Sequence, residues 1–422
     1  MEDVYKEWLA GVRPDPDPAR AAQTLSQLNL RLDNWLKLRE LPALFWGWHP
    51  EEKNSMAFEH ESIRRALVLL GFETVWIRGD AVVNPPSPSD PQLARLFVTG
   101  FDQFNSVLPR LNESDTVLVH NLTDYTNWKG TVINYLQFFA NHPSRRVGIP
   151  TPYPTDLLPF EISDDCLSQK NDNKAMFVGS RYSSAFYAQH EYLGNRFLEN
   201  GIRYSFLETW NADRIHQEYC SARWAPIVQQ SSILTFMPSR FVKAMSRGCI
   251  PLSVNPIIEI LLGSGAEACI FGATWDQVFE KLKEIKANPN EMDRKSRVGL
   301  AYAREHTALH FLEYIWPDKL SVCQPSKSFL ETRASLFNAD RVCQSLPELH
   351  KLLLKYPRNR VLMALIVRGL INQVSLRAAE KELSEFKAAY PDDKIMIHNL
   401  NYELEHCRIL AFPEPGSLNL HE

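Results

Sequence analysis

Short apolar runs alternate with amphipathic stretches along most of this 422-residue chain. The first clear example is an apolar run at 43–49, followed by apolar residues at helical spacing over 63–70, then Gly71, then a second apolar run at 72–77. Gly71 stands where a helix C-terminus favours a left-handed residue. Strand, helix and strand in this order form a βαβ unit with parallel strands. The pattern therefore predicts an α/β fold with a parallel sheet.

The first alternating series continues to about residue 160. Further strands are predicted at 93–100, 115–122 and 145–151, and helices at 101–111 and 131–142. We therefore expect a Rossmann-like first domain over 41–160, preceded by a helical lead-in over 1–40. A polar run within 161–173 predicts the linker to the next domain.

A second series begins at Lys174 and predicts another Rossmann-like domain over 174–325. Its predicted strands lie at 174–180, 202–208, 224–229 and 249–254, and its helices at 184–201, 212–220, 240–248, 275–288 and 292–314. Gly201 and Gly248 are expected to end two of these helices. Two doubly wound domains leave a cleft between the carboxyl ends of their strands, where ligands bind in such folds.

The remaining residues, 331–410, show only helical periodicity and predict an all-helical C-terminal extension. Tyr356-Pro357 recurs as Tyr390-Pro391, an interval of 34 residues. This interval is typical of tetratricopeptide repeats. A plain helical cap on the second domain explains the same pattern, and the two interpretations stay open. A repeat array over 331–407 would offer a surface to a protein partner.

Charge and cysteine content narrow the class of protein. Forty-six Lys and Arg against fifty Asp and Glu give a net charge of -4, which argues against a nucleic-acid partner. Seven cysteines, with no pair at CxxC spacing, argue against a disulfide framework or a zinc ribbon and favour a reducing compartment. We see no apolar signal segment and no stretch long enough to span a bilayer, and so predict a cytoplasmic protein.

The stretch 237–254 carries the most chemical information. Ser239 is a candidate N-cap and Gly248 a candidate end for a short helix that would point its N-terminus into the cleft. Free N–H groups there favour an anion such as phosphate, and Arg240 adds a bidentate donor. The alternative is an Arg240 that forms an ordinary salt bridge on a solvated helix.

The same stretch resembles the donor-binding half of GT-B glycosyltransferases. The Gly-Cys-Ile-Pro turn is most similar to exostosin-type and spore-coat-type transferases, and the lysine on the helix is also similar to the fucosyltransferase pattern. The resemblance covers 174–315 and rests on eight residues: Ser239, Arg240, Ala244, Met245, Gly248, Cys249, Ile250 and Pro251.

The resemblance implies a glycosyltransferase that moves a sugar from a nucleotide-sugar donor to a glycan, a lipid-linked glycan or a protein. The second domain would bind the donor and the first the acceptor, with no metal and no other cofactor. The residues expected to bind the donor follow strands or begin the helix at 240: Gly179, Ser180, Arg181, Glu208, Ser239, Arg240, Lys243 and Asn255.

One position departs from the family pattern. Many of these enzymes have a glutamate that binds the donor ribose where this chain has Lys243. A lysine cannot accept hydroxyl protons, but it neutralises phosphate. The departure favours a different donor, for example a sugar activated by cytidine monophosphate, or a relative that has lost activity.

A transfer with inversion needs a base for the acceptor hydroxyl, and the first domain offers four candidates. His49 and Glu51 follow the first predicted strand, and His120 and Asp124 end or follow a later one. We rank them His49, Asp124, Glu51 and His120.

Other enzyme classes lack their sequence signatures. The chain has no GxSxG, no P-loop and no GxGxxG. His306 and His310 are four residues apart, but no glutamate stands between them to make a zincin motif. Two rivals remain: a non-catalytic scaffold that acts through the helical extension, and a sugar-nucleotide epimerase.

Overall fold

The computed structural model describes residues 23, 26–28, 30–49, 57–77, 95–107, 111–120, 130–136, 149–150, 154–179, 184–209, 211–228, 238–316 and 326–411. Two parallel sheets organise this part of the chain. The first has the order β2-β1-β3-β4-β5-β6. Its strands are β1 (Ala43–Trp46), β2 (Thr74–Ile77), β3 (Leu96–Gly100), β4 (Thr116–His120), β5 (Thr131–Leu136) and β6 (Ile149–Pro150).

The second sheet has the order β11-β10-β9-β7-β8. Its strands are β7 (Asn171–Val178), β8 (Arg203–Leu207), β9 (Ala222–Pro226), β10 (Ile250–Ser253) and β11 (Ile270–Phe271). Every strand pair in both sheets is parallel. Both sheets are wound in the same way: the first strand lies between the second and the third. The winding direction therefore reverses between β1 and β3 and between β7 and β9, which is where doubly wound folds bind ligands.

Helices cover the sheets and form the C-terminal extension. Helices that accompany the first sheet are α1 (Asp33–Leu36), α2 (Ala57–Leu69) and α3 (Phe104–Val107). Those that follow are α4 (Asp165–Ser168), α5 (Ser184–Glu199), α6 (Ala212–Ser221), α7 (Arg240–Met245), α8 (Pro256–Leu262), α9 (Trp275–Lys286), α10 (Pro289–Arg304) and α11 (Ala308–Ile315). The extension contains α12 (Lys327–Gln344), α13 (Leu346–Lys355), α14 (Arg360–Asn372), α15 (Leu376–Ala389) and α16 (Lys394–Ala411). The predicted fold class, two doubly wound α/β domains with an all-helical extension, is confirmed.

Three predicted helix ends are confirmed by backbone conformation. Gly71, Gly201 and Gly248 have φ values of +86°, +65° and +71°. This left-handed region is open to glycine at little steric cost. After the last of them, the Cys249 N–H donates to the Ala244 carbonyl at 3.0 Å, which completes the helix end.

The predicted helix at 131–142 is wrong in its described part. Residues 131–136 form β5, which pairs in parallel register with β4 from Thr131 to Tyr135. Three β-branched residues begin this segment, and Ile133 is buried in the first-domain core. A short apolar run of this kind does not distinguish a buried strand from a buried helix, so the partner strand decides.

The predicted single helix at 292–314 is also corrected. It ends at Arg304 and restarts at Ala308, and the Thr307 hydroxyl bonds the His310 ring at the break. Beyond the break the chain returns to the first domain: α11 packs in the first core, and the Trp35 indole donates to the Leu312 carbonyl at 2.9 Å. This helix therefore connects the two domains.

A buried ion pair fixes the crossing segment, residues 154–170, where the chain passes from the first sheet to the second. Arg247 is fully buried and donates to both carboxylate oxygens of Asp156, at 2.6 and 2.7 Å. The Thr155 hydroxyl bonds the Ser246 hydroxyl beside it at 2.9 Å. A bidentate pair of this kind is strong and directional, so it holds the crossing segment against the end of α7.

The extension packs tightly on the second domain. Its helices share one hydrophobic cluster with α7 and α8. Asn359, which is 1% exposed, donates to the Val254 and Ala273 carbonyls at 2.9 and 3.0 Å, just after β10 and β11. These contacts favour the helical-cap interpretation, while the repeat interpretation stays a prediction. Each of the two Tyr-Pro pairs follows the end of a helix, α13 or α15.

The cysteine prediction requires a correction. The Cys166 and Cys220 sulfurs are bonded to each other. The two residues are 54 positions apart, so no local spacing indicated the pair. No helix in the described ranges is both long and apolar enough to cross a bilayer.

Candidate functional site

The carboxyl end of β7 brings together two predicted donor-binding residues. The Arg240 Nε donates to the Val178 carbonyl at 3.1 Å, and its guanidinium lies 4.8 Å above the Phe177 ring. A Cβ at Gly179 would lie 2.9 Å from Nη2 of Arg240. The absent side chain at Gly179 therefore makes room for the guanidinium at the point where the winding of the second sheet reverses.

Ser239 occupies the position before α7, but it does not cap the helix. Its backbone is already helical, and its side chain makes no capping hydrogen bond. The expected N-cap role is therefore not observed. Helix α7 has only six residues, so its dipole is a minor source of positive potential beside the two side-chain cations that it carries, Arg240 and Lys243.

Lys243 extends from α7 to the first domain. Its Nζ lies 5.1 Å from the centre of the Phe58 ring, at the start of α2. Burial lowers the pKa of Lys243, and the negative charges of Asp156 and Glu59 partly oppose this effect. Lys243 thus contacts the first domain from a helix of the second.

A buried polar cluster lies in the first domain next to Phe58, which Lys243 contacts. It contains Glu59 on α2, His120 at the end of β4 and Tyr135 near the end of β5. The His120 Nε2 is 3.9 Å from the Glu59 carboxylate, and the rings of His120 and Tyr135 are 5.0 Å apart. Burial and the nearby Glu59 charge raise the pKa of Tyr135 well above its usual value, so the phenol stays protonated.

Trp48 covers this cluster in a strained conformation. Its φ is +48°, in the left-handed region that a bulky residue rarely adopts. A Cβ at Gly100 would lie 2.2 Å from the indole Cζ2, and the indole N–H donates to Asp102 at 3.2 Å. The indole also contacts the rings of His60 and His120, at 4.7 and 5.3 Å. Backbone strain of this kind is often found at functional sites.

His60 lies beneath the same indole and is completely buried. Within the described residues, neither of its ring nitrogens has a hydrogen-bond partner. Burial lowers the pKa of His60 to about 3, so the ring is neutral at physiological pH. Burying an imidazole without a hydrogen-bond partner costs free energy, so His60 lowers the stability of the folded protein.

The other predicted residues are placed as follows. His49 is half-buried, and its ring lies 5.5 Å from the Trp76 ring. Glu208 is exposed after β8. Asn255 is buried, and its side chain accepts from the Ile257 N–H at 3.0 Å as the cap of α8. Four predicted residues lie outside the described ranges: Glu51, Asp124, Ser180 and Arg181.

The sequence interpretation did not identify Glu59, His60 or Tyr135. Tyr135 lies in the segment that was expected to be a helix, where its position gave no reason to expect it near the cleft. Glu59 and His60 are in the first turn of α2, which follows β1. Their position in the sequence could have indicated them, because the helix after the first strand begins at the carboxyl edge of the sheet, where ligands bind in doubly wound folds.

The arrangement defines a site with two chemically different sides. One side supplies two cations, Arg240 and Lys243, next to a glycine at the end of a strand. The other supplies a buried carboxylate, an imidazole and a protonated phenol. The first side suits an anionic group such as phosphate. The second side suits proton transfer, because a carboxylate next to an imidazole stabilises its protonated form.

No protein-family model and no curated protein matches this chain. Solved structures of an α-glucosyltransferase are similar at low identity. One, in complex with UDP-glucose and DNA containing an abasic site, has a TM-score of 0.46 and 10% identity over 63% of this chain and 95% of its own. Another, in complex with UDP and a 13-mer DNA with an HMU base, has a TM-score of 0.43 and 12% identity over 64% and 97%. These values leave the activity to be argued from the residues of the site.

Proposed function

We propose that this protein transfers a glycosyl group from a nucleotide sugar to an acceptor hydroxyl. The observation that carries the proposal is that α7, with the Arg240 and Lys243 cations, contacts α2 of the first domain at Phe58, next to the Glu59–His120 pair. Glycosyl transfer needs both functions: a positive charge for the departing phosphate and a base for the attacking hydroxyl.

On the donor side, Arg240 would bind the phosphates through the guanidinium face that Gly179 leaves accessible. Lys243 adds a second positive charge from the next turn of α7. Negative charge grows on the nucleotide phosphate as the bond to the sugar breaks. Cations held in fixed positions stabilise that charge without having to move during the reaction. Arg240 and Lys243 would therefore have the role that a metal ion has in other transferases.

On the acceptor side, His120 would accept the hydroxyl proton, and Glu59 would stabilise the imidazolium that forms. The 3.9 Å separation of the two side chains is longer than a hydrogen bond. Such catalytic contacts often shorten only when substrate binds. Tyr135 remains protonated near the Glu59 carboxylate. His49, with Glu51 and Asp124, remains the rival source of the base, and the acceptor is a glycan, a lipid-linked glycan or a protein.

The test is nucleotide binding measured by thermal shift. The panel contains UDP, GDP, ADP, CMP and their common sugar conjugates at millimolar concentration. A ligand that binds only the folded protein raises the melting temperature by mass action. We expect one nucleotide to do so and Arg240→Ala to abolish the shift. Arg341→Ala, an exposed arginine on α12, is the matched control and should retain it.

Each outcome distinguishes the proposal from its rivals. If no nucleotide raises the melting temperature, the transferase proposal fails and the scaffold hypothesis gains. If a nucleotide sugar binds and is converted without any acceptor, the protein is an epimerase. If a shift is seen but survives in Arg240→Ala, the donor site has been placed at the wrong residues.

A further inference from the structure

A second cluster of chemically reactive side chains lies outside the cleft. His216 and Cys220 are four residues apart on α6 and therefore share one helical face. Cys166 on α4 meets them there. The two sulfurs and one imidazole nitrogen all lie within 4.8 Å of one another. Two cysteines and a histidine are a ligand set typical of zinc.

The separation of Cys220 from His216 and the burial of the cluster suit a metal ion. The Cys220 sulfur and the His216 Nε2 are 3.5 Å apart. Two ligand atoms at about 2.3 and 2.1 Å from one tetrahedral zinc ion are separated by about 3.6 Å. Cys166 and Cys220 are buried, at 4% and 1% exposure, while His216 is half-buried and leaves a route for the ion.

In this structure the two sulfurs are bonded to each other, which prevents them from acting as thiolate ligands. A small dithiol reduces such a bond: the protein gains two thiols, and the dithiol becomes its cyclic disulfide. When the two thiols bind a divalent ion, they release two protons and form two metal–sulfur bonds.

We propose that the reduced protein binds one zinc ion through Cys166, His216 and Cys220, with a water molecule in the fourth position. Oxidation to the disulfide and metal binding exclude each other. The site is thus metal-loaded under reducing conditions and closed by a sulfur–sulfur bond under oxidising ones.

The position of the cluster predicts which property the ion changes. Cys166 lies in the crossing segment, just before β7, and Cys220 lies just before β9. The Lys170 ammonium already bonds the Tyr219 and Ala222 carbonyls at 2.7 Å in the same junction. This is the amino-terminal edge of the second sheet, opposite the cleft. The ion would therefore hold the crossing segment to α6 and raise stability, with little effect on nucleotide binding.

The test uses cobalt(II) as a spectroscopic substitute for zinc on the full-length chain. The protein is reduced with a dithiol, stripped with a chelator, transferred to buffer free of both, and titrated anaerobically. We expect sulfur-to-cobalt charge-transfer absorption that saturates at one equivalent and is displaced by zinc. We also expect zinc to raise the melting temperature of the reduced protein and to leave that of the oxidised protein unchanged.

Variants assign the ligands. Cys166→Ser and Cys220→Ser should each weaken binding at least tenfold and alter the absorption, and His216→Ala should weaken it while retaining both sulfur ligands. Cys407→Ser, a half-buried free cysteine in the extension, should leave the titration unchanged. A reduced wild-type protein that gives no cobalt absorption overturns the proposal without reference to any variant. Absorption that persists in Cys166→Ser and Cys220→Ser places the metal at other residues and overturns it equally.

Discussion

The Arg240 guanidinium and Gly179 lie in contact at the carboxyl end of β7, where any side chain at position 179 would begin 2.9 Å from Nη2. The first domain repeats this relationship: the Trp48 indole lies over Gly100 at the end of β3. In each sheet, a glycine at the carboxyl end of a strand next to the reversal of winding leaves space for one large side chain, Arg240 in the second domain and Trp48 in the first. The two domains therefore position these side chains in the same way.

Gly179→Ala should abolish nucleotide binding while the protein still folds. The new methyl group would contact Arg240 and also Phe177, at 2.7 Å, so the guanidinium must move away from the strand end. The measurement is the thermal shift with the nucleotide that binds wild type. Gly194→Ala is the control, because among the described residues a Cβ there meets only Tyr204, at 3.6 Å, which is an ordinary contact. An undiminished shift in Gly179→Ala would show that Arg240 does not bind the donor.

His120→Asn and Glu59→Gln should each lower kcat by about 10²–10⁴-fold, the usual contribution of a general base. Both variants should retain the nucleotide-induced thermal shift, because neither residue is assigned to the donor. Steady-state turnover with a working acceptor is the measurement. His49→Asn tests the rival base directly. If His49→Asn lowers kcat by this amount and the His120 and Glu59 variants do not, the base is His49, and His120 and Glu59 have a structural role.

The stability of the protein should fall as the pH drops below about 6.5. Burial lowers the pKa of His60 to about 3 and that of His306 to about 4 in the folded chain, whereas a histidine in the unfolded chain has a pKa of about 6.5. Between these values the unfolded chain takes up protons that the folded chain excludes. Each such histidine costs up to about 1.4 kcal/mol per pH unit.

Denaturant unfolding at several pH values between about 6.5 and 4.5 measures this dependence. His60→Gln should reduce the slope, and His350→Gln, at an exposed position on α13, is the matched control. Equal slopes in wild type and His60→Gln would mean that His60 is not held neutral in the fold.

Asn359→Ala should lower the free energy of unfolding by about 2–4 kcal/mol. The change leaves the Val254 and Ala273 carbonyls without the hydrogen bonds that Asn359 donates. It also removes the cap of α14, because the Asn359 side-chain oxygen accepts hydrogen bonds from the first two N–H groups of that helix at 3.1 and 3.2 Å. Chemical denaturation and proteolysis of the extension are the measurements. Asn338→Ala, at an exposed position on α12, should change stability by less than about 0.5 kcal/mol. A similarly small effect of Asn359→Ala would show that the cap is held by apolar contacts alone.

Much of the fold follows from local patterns. The strand at 43–46, the helix that ends before Gly71 and the helix that ends before Gly248 were all indicated by apolar spacing and by a glycine where φ is positive. Local patterns did not predict the structure correctly where a buried strand and a buried helix have the same apolar pattern. The segment 131–136 is equally apolar as a strand or as a helix, and its pairing with β4 decided for a strand.

The sequence by itself therefore indicated two doubly wound domains and a helical extension, because apolar spacing encodes these elements locally. It also indicated the convergence of Gly179 with Arg240, because the first follows a predicted strand and the second begins a predicted helix at the same edge of a parallel sheet. Only the tertiary structure decided that Glu59 lies beside His120, that Lys243 crosses to Phe58 and that Cys166 meets Cys220. Each of these contacts joins residues 54 to 185 positions apart in the chain. No periodicity records such distances; they are set by the way the sheets and helices pack together.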